Sequence, residues 1–336
     1  MLDWDNPEIY KLAYKKGILV PKDIALKNIY NRFNTRFKKT NPNPNLDNPT
    51  KLSEKIQWLK FNYKDPIQIH LQDKLLYKKY LKHIGLEEYA TELLCTWKNL
   101  NEVDFDSLLK EPFIPFVLKP NNMSGGKQVF IFTENTKKNI QYDEIKTVLR
   151  DFNYGLPYID GIKLGEWVYM KMKPFLFAEK YYDPDTLEFS DGTNRPVEYR
   201  IFCFNQKVKH IQVNTLPNSN DVTLRCMKHF NGRAVLSYNA DWEKAKIGEI
   251  EIGKITKAKE KFVIDDCARP THLEEMIEVS EKISKPVPFL RVDWIAHNGK
   301  LKTFENSLFP SSGFLSWEPN PQEIDLMFGE MLDLKK

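Results

Sequence analysis

No segment of the chain approaches the roughly 18 consecutive apolar residues that a membrane-crossing helix requires, so no transmembrane segment is expected. The first residues, Met1-Leu2-Asp3-Trp4-Asp5, carry neither the basic nor the apolar part of a signal peptide, and the expected location is the cytoplasm. Cysteine is scarce: Cys95, Cys203, Cys226 and Cys267 stand apart, with no CxxC pair and no partnered His at zinc spacing. Free thiols in a reducing compartment follow, and the six dispersed His announce no metal cluster. A surplus of one charge is also lacking. The 50 Lys and Arg against 46 Asp and Glu give a net charge of +4 spread along the whole length. That spread excludes the concentrated basic face of a dedicated nucleic-acid binder, while the slight cationic excess suits an anionic substrate such as a nucleotide. There is no internal repeat, no low-complexity tail and no persuasive Ser-His or Cys-His pair for a protein nucleophile.

What is present is 336 residues with 41% apolar content, enough for one large domain or two modest ones. Short helical pieces run to about Phe37 and end in a Pro- and Asn-rich connector, Thr40 to Pro49. A helical stretch around Trp58, with Ile56, Leu59 and Lys60, ends near Asp65-Pro66. Asp73 is placed to cap the next helix, in which Leu76, Tyr80 and Ile84 share a face and Gly85 is the stop. Two β-rich runs follow, Phe116-Val117-Leu118 and Val129 to Phe132, and then a hairpin of Val197–Phe204 and Val208–Val213 turning at Asn205-Gln206. Thr271 and Glu274 have the spacing of a capping box for a helix carrying Leu273, Met276, Ile277 and Ile283. A last hairpin runs from Phe289 to Asn306. Helices, hairpins, helix and hairpin in that order predict an α+β fold, not a doubly wound parallel sheet.

Three segments could carry chemistry. In the last hairpin, strand alternation puts Arg291 and Asp293 on one face and Leu290, Val292 and Trp294 on the other. A two-residue turn at Asn298-Gly299 places Glu305 on the face opposite Asp293. A three-residue loop, His297-Asn298-Gly299, instead sets it opposite Arg291 and diagonal to Asp293. Two carboxylates so gathered suit Mg, which takes oxygen ligands; a surface salt bridge is the plainer alternative. The second segment is Pro120 to Lys127, whose small residues and glycines let backbone N–H groups close over phosphates, although a simple turn has the same composition. It is not a GxxxxGK phosphate loop, because a strand follows it. The third is Asp183-Pro184-Asp185, which has the DxD shape of a glycosyltransferase metal site and equally that of an ordinary turn.

In order along the chain, these pieces resemble the ATP-grasp superfamily, specifically its teichuronopeptide-biosynthesis (TupA-like) branch. The resemblance begins at Lys51-Leu52-Ser53-Glu54-Lys55-Ile56-Gln57-Trp58-Leu59-Lys60 and continues through Asp73-Lys74, Val117-Leu118-Lys119, Ser124-Gly125-Gly126 and Ala178-Glu179. It includes Tyr199 to Asn205 and His210 to Val213, then closes with Pro288 to Asp293 and Phe309 to Phe314. It implies an ATP-grasp fold, two α+β subdomains (71–185 and 186–336) that sandwich ATP after a small helical N-terminal region (1–70). By position, Lys74 and Lys119 are the lysines on the phosphates, and Ser124, Gly125 and Gly126 form the lid loop over them. Glu179, Lys180 and Tyr182 belong to the adenine hinge, and Glu198 stands where a carboxylate receives the ribose hydroxyls. Asp293 and Glu305 match the Mg ligands and Arg291 the Arg beside the reacting acyl group. The third ligand position, commonly Asn, is Ser307, with Asn306 one place early.

The implied activity joins a carboxylate to an amine through an acylphosphate, with ATP and Mg. A uronic acid, free or linked to a nucleotide or glycan, is the expected carboxylate, and an amino acid or amino alcohol the amine, in surface polysaccharide biosynthesis. Arg200, Lys209, Arg225 and Arg233 are candidates for anionic groups. The rival readings are a glycosyltransferase using Asp183 and Asp185, and a non-catalytic ATP-grasp module altered at Ser307. The shared Mg site requires the three-residue loop, with Arg291, Asp293, Thr303 and Glu305 on one face and Val292, Trp294 and Phe304 in the core.

Overall fold

The computed structural model describes residues 2–36, 44–110, 113–126, 128–136, 142–153, 155–216, 235–247, 250–251, 266–315 and 321–334. Arg225, Cys226 and Arg233 lie outside the described residues, as does Lys127. Helices α1 (Glu8–Lys15), α2 (Lys22–Arg36), α3 (Leu52–Asn62), α4 (Ile67–Gln72) and α5 (Lys74–His83) come first. A four-stranded sheet follows, made of β1 (Leu93–Trp97), β2 (Phe116–Pro120), β3 (Phe130–Phe132) and β4 (Leu176–Lys180) in the order β1-β4-β2-β3. Helices α6 (Phe105–Leu108), α7 (Tyr142–Val148), α8 (Arg150–Asn153) and α9 (Ile159–Lys163) are set between its strands. The second sheet has six strands: β5 (Thr186–Glu188) pairs with β6 (Asn194–Phe204), followed by β7 (Lys207–Thr215) and β8 (Val235–Tyr238). Apart from it stands a two-strand ladder, β9 (Lys246–Ile247) and β10 (Ile250–Glu251). After α10 (Leu273–Ser284), β11 (Phe289–His297) and β12 (Lys300–Ser307) join the six-stranded sheet beside β6, and α11 (Pro321–Glu330) ends the fold. Every named pairing is antiparallel, as the α+β reading requires.

Each sheet has its own core. Under the four-stranded sheet lie Phe116, Phe130, Phe132, Ile145, Phe152 and Leu176. The larger cluster joins the six-stranded sheet to α10 and also takes in Leu52, Ile56, Tyr77, Tyr80 and Leu81. Helices α3 and α5 are therefore built into the same core as the second sheet. The Tyr77 hydroxyl is 3.0 Å from the Thr303 hydroxyl, and the Tyr80 hydroxyl donates to the Ile283 carbonyl at 3.0 Å.

Local details differ from expectation in three places. Asp73 does cap α5, accepting from the Leu75 and Leu76 amides at 2.8 and 3.1 Å, but the buried face is Lys74, Tyr77, Tyr80 and Leu81. Tertiary packing on α4 and β12 sets that phase, and Leu76 is only half-buried. The Thr271 capping box is absent: α10 starts after His272 with no side-chain cap, and Glu274 pairs with Arg269 instead. The third difference lies in the last hairpin.

Its turn has two residues. His297 pairs with Lys300, and Asn298 and Gly299 both take positive φ, 49° and 71°. The Asp185 carboxylate closes the turn by accepting the Asn298 amide at 2.8 Å and the Gly299 amide at 2.9 Å. That register continues to Trp294 and Thr303, then shifts, so that Asp293 faces Glu305 and Arg291 faces Ser307. The extra residue is Phe304, a β-bulge. The expected three-residue loop is thus wrong, yet the bulge reaches the same end by another route: Asp293 and Glu305 are direct cross-strand partners on one face. Two placements reverse with it. Thr303 sits on the core face with the fully buried Val292 and Trp294, and Phe304 lines the cleft instead of the core.

Candidate active site

A cavity of about 860 Å³ opens between the two sheets, within the size range of ligand pockets. The nucleotide and metal residues expected from the resemblance, Lys74, Lys119, Ser124, Gly125, Gly126, Glu179, Lys180, Tyr182, Glu198, Arg291, Asp293, Glu305 and Ser307, line it, as does Arg200, whereas Lys209 does not. The six-stranded sheet contributes Arg291, Asp293, Glu305 and Ser307 from the face opposite Trp294. The four-stranded sheet contributes Lys119 from β2 and Glu179 from β4, whose chains pair at Lys119↔Phe177 and Val117↔Glu179.

Lys74 is the first residue of α5, held in place through its neighbour. Asn121, at the end of β2, donates to the Asp73 carboxylate at 2.7 Å and to the Lys173 carbonyl at 3.0 Å, while its own oxygen accepts the Phe175 amide at 2.8 Å. The helix start is thereby tied to the strand that carries Lys119. The Lys74 ammonium donates to the Met123 carbonyl at 2.6 Å and lies 3.4 Å from Glu305. Gly125 and Gly126, just beyond Met123, have φ of 85° and 64°.

Lys119 and Glu179 form a buried ion pair, and a second lysine, Lys78, reaches the same carboxylate at 2.8 Å. Thr91 completes the cluster, its hydroxyl donating to Glu179 at 2.7 Å and its carbonyl accepting from Lys78 at 2.7 Å. Burial alone would raise the Glu179 carboxyl, but Lys119 and Lys78 hold it at about 2. Sequence reasoning missed Lys78. It stands four residues after Lys74, on the same face of α5. Downstream, Tyr182 packs edge-on to His297 with ring centroids 5.3 Å apart.

On the opposite wall the Arg291 guanidinium grips Asp293 with two hydrogen bonds of 2.6 Å. Burial raises the Asp293 carboxyl against the pull of Arg291, whereas Lys74, Arg291 and Lys119 keep Glu305 below its ordinary range despite burial. Arg200, across from Asp293 in the register, pairs with Glu198 at 2.6 Å. Among the described residues no group of three His, Cys, Asp or Glu could hold a metal ion. Two carboxylates and the Ser307 hydroxyl on one face still fit Mg, which keeps several waters and needs only one or two carboxylates beside substrate phosphates. The DxD alternative fits less well. Neither Asp183 nor Asp185 lines the cavity, and Asp185 closes the hairpin turn.

The family model described as TupA-like ATPgrasp matches residues 54–333. No curated protein matches the chain. Among solved structures, it is similar to an L-amino acid ligase from Bacillus licheniformis, with 12% identity over 93% of this chain and 67% of that one, TM-score 0.42. It is also similar to the VanG D-Ala:D-Ser ligase from Enterococcus faecalis, with 13% identity over 84% and 61%, TM-score 0.40. A third is the D-alanine–D-alanine ligase from Bacillus anthracis, with 17% identity over 70% and 55%, TM-score 0.37. The chain thus spans less than two thirds of the length of the last two. Among the described residues no helix is long and apolar enough to cross a membrane.

Proposed function

The chain belongs to the TupA-like ATP-grasp family, and on that footing we propose that it is an ADP-forming carboxylate–amine ligase using ATP and Mg. One observation carries the reading: Asp293 and Glu305, paired across β11 and β12, face Lys74 and Lys119 within a single cavity. Carboxylates that can share a divalent cation, opposite lysines that can hold phosphate oxygens, are what phosphoryl transfer from a nucleoside triphosphate demands. Asp293, Glu305 and Ser307 would hold the Mg, which when bound neutralises charge on the β- and γ-phosphates. Lys74 and Lys119 fix the phosphate oxygens, the Ser124–Gly126 loop covers them, and the 179–182 segment receives the base, with Glu198 for the ribose.

In the first half-reaction a substrate carboxylate oxygen attacks the γ-phosphorus and ADP leaves. The product is an acylphosphate. An amine then attacks the acyl carbon and phosphate departs, giving the amide, with Arg291 stabilising the developing oxyanion. The preferred carboxylate is a uronic acid, free or attached to a nucleotide or glycan, and the amine an amino acid or amino alcohol. Support for that choice comes from the family's association with amide-decorated surface polysaccharides.

An ADP-release screen crossing uronic acids and their nucleotide-linked forms against a panel of amines tests the proposal. Asp293→Asn and Glu305→Gln should each abolish turnover with the fold intact, since shape is kept and ligand charge is lost. If Asp183→Asn abolishes activity while Asp293→Asn does not, glycosyl transfer is the better reading.

A further inference from the structure

The cavity extends beyond the nucleotide and metal residues. Its other end is bounded by α2, α9, Glu166 and the turn at Ser311-Ser312. Helix α2 has two faces: Ala25, Ile29 and Phe33 are fully buried, Phe33 packing edge-on against Phe314 with centroids 5.0 Å apart. Asn28, Asn31, Arg32 and Thr35, at helical spacing on the other side, line the cavity. These four residues precede the segment matched by the family model, which starts at residue 54.

Glu166 is 3% exposed and lines the cavity; the Ser312 side chain hydrogen-bonds to it, while its Oε1, itself shielded from solvent, has no partner. The cation acting on it, Lys60, has no donor to spare. The Lys60 ammonium donates to the Gln57 side-chain oxygen at 2.8 Å, the Ser312 carbonyl at 3.0 Å and the Leu164 carbonyl at 3.1 Å, which accounts for its three N–H bonds. Buried carboxylate oxygens are normally satisfied, so an unpartnered one on a side chain that lines a cavity points to a donor brought by a ligand. Burial raises the Glu166 carboxyl, a cost that an ammonium beside it would offset. Tyr158 lines the same cavity as Glu166 and Arg32 and feels the charge of both.

We propose that this end of the cavity is the amine subsite and that it takes an amino acid, its ammonium on Glu166 and its carboxylate on Arg32. The proposal rests on the ligase reading above and narrows it, since an amino alcohol offers Arg32 only a neutral hydroxyl in place of a carboxylate. It also makes the N-terminal helix α2 a determinant of which amine is used.

The test is calorimetric titration of the full chain with Mg and a non-hydrolysable ATP analogue, the probes being L-amino acids, D-alanine and the amino alcohol corresponding to each. At least one amino acid should bind, its amino alcohol should bind about tenfold more weakly or worse, and Glu166→Gln should weaken the amino acid by about tenfold. The analogue's own affinity should not change in that variant. Arg32→Ala, a substitution at an exposed helix position, should erase the preference for acid over alcohol. The wild-type acid-to-alcohol comparison and the Arg32 variant decide the matter even if Glu166→Gln does not fold. Equal binding of acid and alcohol, amino-acid binding untouched by both variants, or no probe binding to a chain that binds the analogue would each overturn the subsite. A wild-type chain that fails to bind the analogue overturns the ligase reading itself, and the subsite falls with it.

Discussion

At Glu179 two lysines and a threonine outweigh the penalty of burying a carboxylate, and the result is a pH-dependent contribution to stability. Folded, the carboxyl titrates near 2, against 4.5 for an unperturbed Glu. Between those values the unfolded chain binds more protons than the folded one. The stabilisation is therefore complete above about pH 4.5 and disappears as the pH falls through 2, and its size is of order 3 kcal/mol. Glu179→Gln should be destabilised at pH 7, and its deficit against wild type should shrink as the pH is lowered toward 2, measured by urea unfolding at stepped pH. A deficit that stays constant over that range would contradict the ion-pair account. At this scale legibility was uneven. Lys74, Lys119, Glu179, Asp293 and Glu305 sit in short recognisable segments, and the fold brings them to one cavity. Lys78 and Glu166 were not legible, because a lysine in a lysine-rich helix and a lone glutamate before a turn look like surface charge until burial is known.

The last hairpin shows why elements are harder to place than residues. Its strands and the Asn298-Gly299 turn could be read from alternation and turn chemistry, but the bulge at Phe304 could not. The bulge is sustained by tertiary contact: Phe304 lies in the cleft, with the Lys119 ammonium 5.7 Å from its ring centroid. Likewise the buried phase of α5 answers to its packing on α4, α10 and β12. The two-residue turn needs φ of 71° at Gly299, where an added Cβ would meet nothing within 4 Å. Gly299→Ala should therefore cost about 1 kcal/mol from backbone strain alone, read as a lowered Tm, with the nucleotide site intact. A loss several times larger would mean that the turn packs against something.

For the whole molecule, the α+β class and the order of helices and sheets follow from the sequence pattern, while the union of N-terminal helices with the C-terminal half does not. Helix α3 is held to α11 by the Lys55 ammonium on the Gly329 and Leu332 carbonyls at 2.8 and 2.7 Å and by Asp325 accepting the Ser53 amide at 2.8 Å. Contacts across more than 270 positions of sequence leave no local trace. A Cβ at Gly329 would come within 1.9 Å of the Thr50 carbonyl oxygen, so Gly329→Ala must push the two helices apart. A loss of about 1–3 kcal/mol is expected by denaturant unfolding. An unchanged midpoint would show that this junction contributes little.

All of these elements serve one arrangement, two carboxylates facing two lysines across a shared cavity. Titrating ATP with and without Mg into the wild type, Lys119→Met and the Asp293→Asn/Glu305→Gln double variant examines it without knowledge of the other substrates. The wild type should bind ATP more tightly with Mg than without. The double variant should lose that gain, and Lys119→Met should bind ATP more weakly under both conditions. A Mg-dependent gain that survives in the double variant would contradict a metal site at Asp293 and Glu305.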